Sequence, residues 1–418
     1  MAQSVLGSLT LGYRPLWNRG RSLAGVQLFV HEDDESTDGA HLLRALGETW
    51  AGESPPLLVS PQSRSLLLDL VAHADASTPM IEVPLPWLLD HSLHEGVHQA
   101  RRRGARLVAS GTPQQPVGGD TAGHANSAAG RPWFSRRAVH LAAADAALAL
   151  SSALKTQRAV AAGQMGGRAE SSPVPADAVV SGVASRALAD HALDQQGAWA
   201  VAGWPAEDVV YRYRGHATPP TRQGIQRILL ALEREPSLDR VDHLFGQEPA
   251  LAYHLLVHLN SAGLGIATGV ASLRHGFMML GFAKVAQWLA QQLPLASDDA
   301  DLKPVNAAMV LRANLTGHLM DAGAEDELAR EIYLCGLFAQ LDLLLDEPLR
   351  SSLTRIPLPQ RLVAAALAQD GPYAPALCIA CALETDDPEP VRRLRVEHEM
   401  SAEEINRALL RSLAVGLQ

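Results

Sequence analysis

Apolar runs and polar breaks give the chain two textures. From about residue 10 to 206, short apolar runs read as strands: Leu23–Val30, Pro56–Val59, Met80–Val83, Arg106–Ala109 and Ala138–Leu141. Between some of them apolar residues recur at helical spacing, so the pattern predicts βα units around a parallel sheet. Two stretches rich in Gly, Pro and Ser, 111–132 and 162–176, interrupt it and are predicted to be mobile loops or disordered.

From about residue 220 only the helical period remains. Ile225, Ile228, Leu229 and Leu232 repeat at that spacing, as do Leu251, Leu255, Leu256 and Leu259. Further helices are predicted around 276–292, 304–321, 325–345, 358–369, 373–384 and 401–415. The stretch RYRGHATPPTRQ carries two prolines and marks the change. The expected organisation is therefore a first domain over 1–206, a linker over 207–221 and a helical domain over 222–418.

One predicted helix, about 86–103, holds the most suggestive motif. Leu89, Leu93, Val97 and Ala100 form its apolar stripe; His91, His94, His98 and Arg101 form the polar stripe beside it. Gly104 should stop the helix, with Arg101, Arg102 and Arg103 in the last turn, where cations suit the helix dipole. Within it His94-Glu95-Gly96-Val97-His98 matches H-E-x-x-H, the zinc-protease signature. A third ligand is required, and the extended motif would put Gly at 101 and His at 104, where Arg101 and Gly104 stand. A solvated outer face is expected, with only adventitious metal binding left to the three histidines.

Composition narrows the function. Apolar residues make up 47% of the 418, enough for packed cores, and aromatics only 5%, so Leu, Val and Ala should fill them. A formal charge of −10 argues against a nucleic-acid-coating surface. Three cysteines exclude a disulfide framework, and Cys378-Ile-Ala-Cys381 lies in an apolar helical segment, where core packing is expected over metal or redox use. The run GQMGGR lacks the Lys-Ser/Thr of a phosphate loop. With no basic, apolar leader and no long clean apolar run, a cytoplasmic chain without membrane insertion is expected.

Several pieces then occur in an order that resembles an EAL domain, the barrel that in active members hydrolyses the bacterial second messenger cyclic di-GMP. Tyr13-Arg14-Pro15 stands at its opening strand, Gly25-Val26-Gln27-Leu28 at the signature strand and Ile81-Glu82-Val83 at a strand carrying a metal-binding Glu. Gly104 to Ser110 resembles the Gly-x-x-x-Ala-Leu-Asp-Asp-Phe turn. Ser181 to Ala184 and Gly197 to Pro205 resemble the late Glu-Gly-Val-Glu and Gly-x-x-x-x-Gln-Gly segments. Active members bind two divalent metals through carboxylates and an Asn, and those metals activate water. At these positions the chain has Gln27 for the signature Glu, Ala109 and Ser110 for the aspartates, Ser181 and Ala184 for the late glutamates, and Arg14 and Ala202 for glutamines. Of the metal shell only Glu82 persists.

The second half resembles an HDOD domain, a helical relative of HD phosphohydrolases. Gln247-Glu248-Pro249-Ala250-Leu251, then Asn260-Ser261-Ala262, resemble the family's "DPAL…NSA" core. Ser272 and Met279-Leu280-Gly281 continue in register. The His-Asp pair of a true HD enzyme falls on Ala339-Gln340. His254 and His258, one turn apart, interleave with leucines and are expected to be packed or rim residues. Asn260 and Ser261 read as an interaction site or, preferably, as a structural helix end.

The resemblance covers roughly 10–206 and 222–412. It implies a degenerate EAL-type, TIM-like α/β barrel followed by an all-helical HDOD domain. The function expected from it is a non-catalytic signal-transduction regulator acting through protein–protein contacts, without cofactor or bound metal. The second reading is a sensor that binds cyclic di-GMP or another nucleotide without hydrolysis. The implied partners are other signalling proteins or a further copy of the chain.

Overall fold

The computed structural model describes residues 4–33, 37–50, 52–115, 133–163, 172–234, 236–264, 269–320 and 326–416. Most of the two breaker-rich stretches, at 116–132 and 164–171, lies outside the described residues.

Eight strands close into a barrel in sequence order. They are β1 (Leu9–Trp17), β2 (Leu23–Glu32), β3 (Leu57–Pro61), β4 (Met80–Pro84), β5 (Leu107–Gly111), β6 (Arg136–His140), β7 (Val179–Ser181) and β8 (Ala200–Ala202). Strand β1 runs antiparallel to both neighbours and the remaining pairs are parallel. Parallel strands covered on both faces should be continuous apolar runs rather than alternating ones. That is the pattern of Leu57–Pro61, buried throughout, and of the five runs expected as strands. Strands β7 and β8 have only three residues each, too short for a periodic signal.

Alternation sorts each strand's side chains. Val139, Leu141, Val180 and Val201 face outward, into a core with Ala149, Leu188 and Leu193 of the surrounding helices. Leu58, Met80 and Val108 face inward with Ala138 and Trp199, and Leu16, Val179, Ala200 and Ala202 join the same filling. The barrel is a packed core, not a pore. Asp38, Ser63, Asp90 and Ser185 cap the helices that follow the strands, each side chain accepting a backbone N–H.

One of those caps changes the expected helix at 86–103. Asp90 accepts from Ser92 N at 2.9 Å, so the helix is His91–Arg102 and Leu85–Leu89 is a separate 3-10 turn. Leu89 is consequently 92% exposed, while Leu93, Val97 and Ala100 are buried as expected. Gly104, at φ +90°, ends the helix. Arg103 does more than suit the dipole: its Nε donates to Ala74 O at 2.9 Å and its NH2 to Val71 O, tying this helix to Arg64–His73.

The rest of the described chain is helical. Two expected continuous helices are broken: Leu273–Leu280 and Phe282–Gln292 meet at Gly281, whose φ of +73° no helix accommodates. Asp326–Phe338 and Leu341–Leu345 are separated by Ala339 and Gln340. The helix Glu389–Glu397 had no apolar period to announce it, since only Val391 of its nine residues is buried. Cys335 is buried, Cys378 half-buried and Cys381 exposed, so the C-x-x-C pair does not pack wholly into a core.

The chain divides into two compact units. One joins Met1–Pro205 to Ala382–Gly416, and the other is Ala206–Cys381. Texture suggested a single boundary, at 207–221, and a helical domain running to 418. Contacts give two, because the final helix Ala402–Val415 buries Ile405, Leu409, Leu410 and Leu413 and Asn406 Nδ2 donates to Leu6 O and Leu9 O at 2.8 Å. The clasp is completed by Asp33, which accepts from Arg392 Nε at 2.9 Å and Arg395 NH1 at 3.0 Å.

Candidate functional site

Two residues beyond each inward apolar side chain, strand alternation brings up a polar one. Ser60 follows Leu58, Glu82 follows Met80, Ser110 follows Val108, His140 follows Ala138 and Ser181 follows Val179. All lie at the C-terminal ends of parallel strands, the end at which such barrels carry their sites. Gln27 joins the layer from β2: its Nε2 donates to Ser60 Oγ at 3.0 Å and Glu82 Oε2 at 2.9 Å. The Ser60 hydroxyl donates to the same carboxylate oxygen. His140 Nδ1 meets Ser181 Oγ at 3.1 Å.

Arg14 enters from β1, opposite Gln27 in the strand register. Its guanidinium lies over the Phe29 ring, 5.1 Å from the centroid, and 3.4 Å from Asp386 Oδ1. The opening of the loop beyond β5 is held by Arg137, whose NH2 donates to the Gln115 carbonyl at 3.0 Å.

Of the barrel positions singled out in the sequence, the structure brings Arg14, Gln27, Glu82, Ser110 and Ser181 to this mouth. Ala109 is buried and alternates to the opposite face from Ser110, and Ala184 lies exposed in the turn after β7. Ser60, Phe29 and His140 belong to the site but match no motif. A polar residue ending an apolar strand was the available signal for Ser60 and His140.

The two-ion site of active EAL members needs several carboxylates converging on hard cations. Among the described residues Glu82 is the one carboxylate in this layer, already engaged by an amide and a hydroxyl. Among the described residues no group of three or more His, Cys, Asp or Glu side chains is placed to hold an ion. The described residues alone therefore do not fit the metal pair. His94 and His98 instead carry Trp133, at 5.2 and 5.7 Å between ring centroids, and His91 is exposed.

In the helical unit, Pro249 occupies the first turn of the helix Pro249–Leu259, where its missing N–H costs nothing. Asn260 follows as a clamp: its Oδ1 accepts from Val270 N at 2.8 Å and its Nδ2 donates to Val270 O at 2.8 Å and Leu256 O at 2.7 Å. Ser261 Oγ donates to His258 O at 2.7 Å. His258 stacks on Trp288, and burial pushes the His254 ring below the usual histidine range.

Glu248, beside Pro249 in the same motif, is the unexpected residue here. It is 7% exposed; its carboxylate accepts from Thr221 Oγ1 at 2.9 Å and Asn306 Nδ2 at 3.2 Å, with Arg227 NH2 at 3.6 Å. Burial outweighs these partners and pushes its carboxyl up to about 7.

No protein-family model matches the chain. A protein described as cyclic di-GMP phosphodiesterase CdgJ, from Vibrio cholerae, is 27% identical over 180 residues, 42% of this chain and 41% of that protein. The alignment thus spans about two-fifths of its curated relative. Among solved structures, the MmoQ response regulator of Methylococcus capsulatus is similar over 47% of this chain and 98% of its own, at 19% identity and a TM-score of 0.37. A manganese and cyclic di-GMP complex of Klebsiella pneumoniae BlrP1 is similar over 47% of this chain and 55% of its own, at 10% identity and a TM-score of 0.29.

The likeness to a phosphodiesterase overturns the expectation that the chain is not an enzyme. That expectation rested on lost carboxylates at aligned positions, whereas Asp120 and Glu170 lie in segments outside the described residues. No helix among the described residues is long and apolar enough to cross a membrane. The start of this chain is a closed eight-strand barrel, and 42% of the chain is similar in sequence to a cyclic di-GMP phosphodiesterase.

Proposed function

We propose that the chain acts in cyclic di-GMP signalling, its barrel mouth binding the cyclic dinucleotide and its helical unit serving as an HDOD-type module that contacts other signalling proteins. One observation carries the binding reading: the half-buried Arg14 guanidinium, laid on Phe29, stands at the C-terminal mouth opposite Gln27, which joins buried Ser60 and half-buried Glu82. A guanidinium offers paired N–H donors to a phosphodiester and a flat face to a purine. The Gln27 amide oxygen, which neither Ser60 nor Glu82 engages, adds a neutral acceptor for a base edge. The name of the Vibrio cholerae relative makes cyclic di-GMP the nucleotide to test. For the helical unit, the support is the Pro249 helix start and the Asn260 clamp, at the positions where the sequence resembles the HDOD core.

The test is calorimetric titration of the full chain and of Arg14→Ala with cyclic di-GMP, with and without Mn²⁺, following release of the linear dinucleotide in the same samples. Saturable binding that weakens roughly tenfold or more in Arg14→Ala is expected, the range for losing a charge-assisted contact. A wild-type chain that evolves no heat at high ligand concentration sinks the reading.

A further inference from the structure

The last turn of the helix Ala374–Ala382 is followed by a segment, 383–387, that ends at the barrel mouth although it lies some 370 residues along the chain from Arg14. Strand β1 pairs with β8 only through Leu16 and Trp17, so the upper part of that edge has no strand partner. The segment runs there. Tyr13 N donates to Leu383 O at 2.8 Å, and Gly12 lets the chain approach so closely that an added Cβ would stand 2.2 Å from Thr385 O. The Asp386 carboxylate faces Arg14 at 3.4 Å. Downstream, Asp33 holds Arg392 and Arg395, so the segment is tethered at its far end.

We infer that Asp386 is a built-in competitor: it occupies the Arg14 guanidinium that a phosphodiester takes, and nucleotide binding requires it to swing aside. The inference rests on the nucleotide reading given above. A carboxylate and a diester phosphate use the same N–H donors and repel one another at contact distance. Both side chains are open to solvent, 26% for Arg14 and 58% for Asp386, so the pair is weak enough to be displaced. The clasp at Asp33 makes the displacement local, and the strap returns when ligand leaves.

The experiment is titration of the full chain and of Asp386→Asn with cyclic di-GMP at low salt, with thermal melts of both as a control for folding. The expected result is binding roughly threefold to tenfold tighter in Asp386→Asn, the range for an exposed ion pair plus relief of one like-charge contact. Gly12→Ala, which lifts the segment at Thr385 instead of changing its charge, should tighten binding in the same direction. If wild type and Asp386→Asn bind equally, or Asp386→Asn binds more weakly, the competitor is refuted while the nucleotide reading stands. If neither Asp386→Asn nor the wild type binds, both fall together.

Discussion

Glu248→Gln is the substitution whose outcome the structure fixes most tightly. The carboxyl sits at about 7 where an ordinary glutamate sits at 4.5. The folded state therefore holds the proton more strongly than the unfolded one. Below pH 4.5 both states are protonated and the site imposes no penalty. As pH rises to 7 the unfolded chain ionises first, so stability is lost across that window and the loss is complete above it. At about 1.4 kcal/mol for each pKa unit, this is about 3 kcal/mol lost between pH 4.5 and 7. Glutamine keeps an oxygen for Thr221 and Asn306 but gives up Arg227, whose guanidinium is half in solvent at 3.6 Å. Glu248→Gln should thus be about 1–2 kcal/mol more stable than wild type at pH 8 and no more stable at pH 5. Urea unfolding followed by far-UV circular dichroism at both pH values measures it. A Glu248→Gln chain less stable than wild type at pH 8 would mean that Arg227 and Thr221 hold the carboxylate ionised, and the reasoning is refuted.

Three further substitutions probe separate parts of the account. Asn260→Ala removes the acceptor of Val270 N and the donor to Val270 O, both in a half-buried setting, and should cost roughly 1–3 kcal/mol in the same assay; a neutral result would favour an interaction role over a structural one. Gly336→Ala would place a Cβ 2.7 Å from Ala313 Cα, where two helices cross, and should cost about 1–3 kcal/mol by overpacking. Gly317, in the helix Leu302–Leu319, has nothing within 4 Å of its would-be Cβ, so Gly317→Ala should instead gain about 0.5–1 kcal/mol from helix propensity, read as a raised melting temperature.

The legible part of the fold was the part with a period. Strands β2 to β5 appeared as apolar runs because most of their residues are buried, and the buried stripe Leu93, Val97 and Ala100 showed through at helical spacing. What failed was capping and breaking: Asp90 moved a helix start and exposed Leu89, and Gly281 split a helix that periodicity alone would continue. The helix Glu389–Glu397 was missed because ion pairs to Asp33, not an apolar stripe, hold it. At the mouth, Gln27 and Glu82 could be placed by resemblance, whereas Ser60 and His140 belong there only because alternation and barrel closure put them beside those two. Asp386 could not be read at all, since no local pattern says that a segment near the end of the chain returns to the first strand. Counting carboxylates in aligned motifs was also the step that misled on catalysis, because it was silent about segments that match no motif.

The most direct test of the account is a crystal structure of the full chain grown with cyclic di-GMP. The dinucleotide should lie at the C-terminal mouth, with a phosphodiester oxygen within hydrogen-bond reach of Arg14, Gln27 beside a base, and Asp386 turned away. Nucleotide bound elsewhere, with the Arg14–Asp386 pair intact and the mouth free of it at saturating ligand, would contradict it.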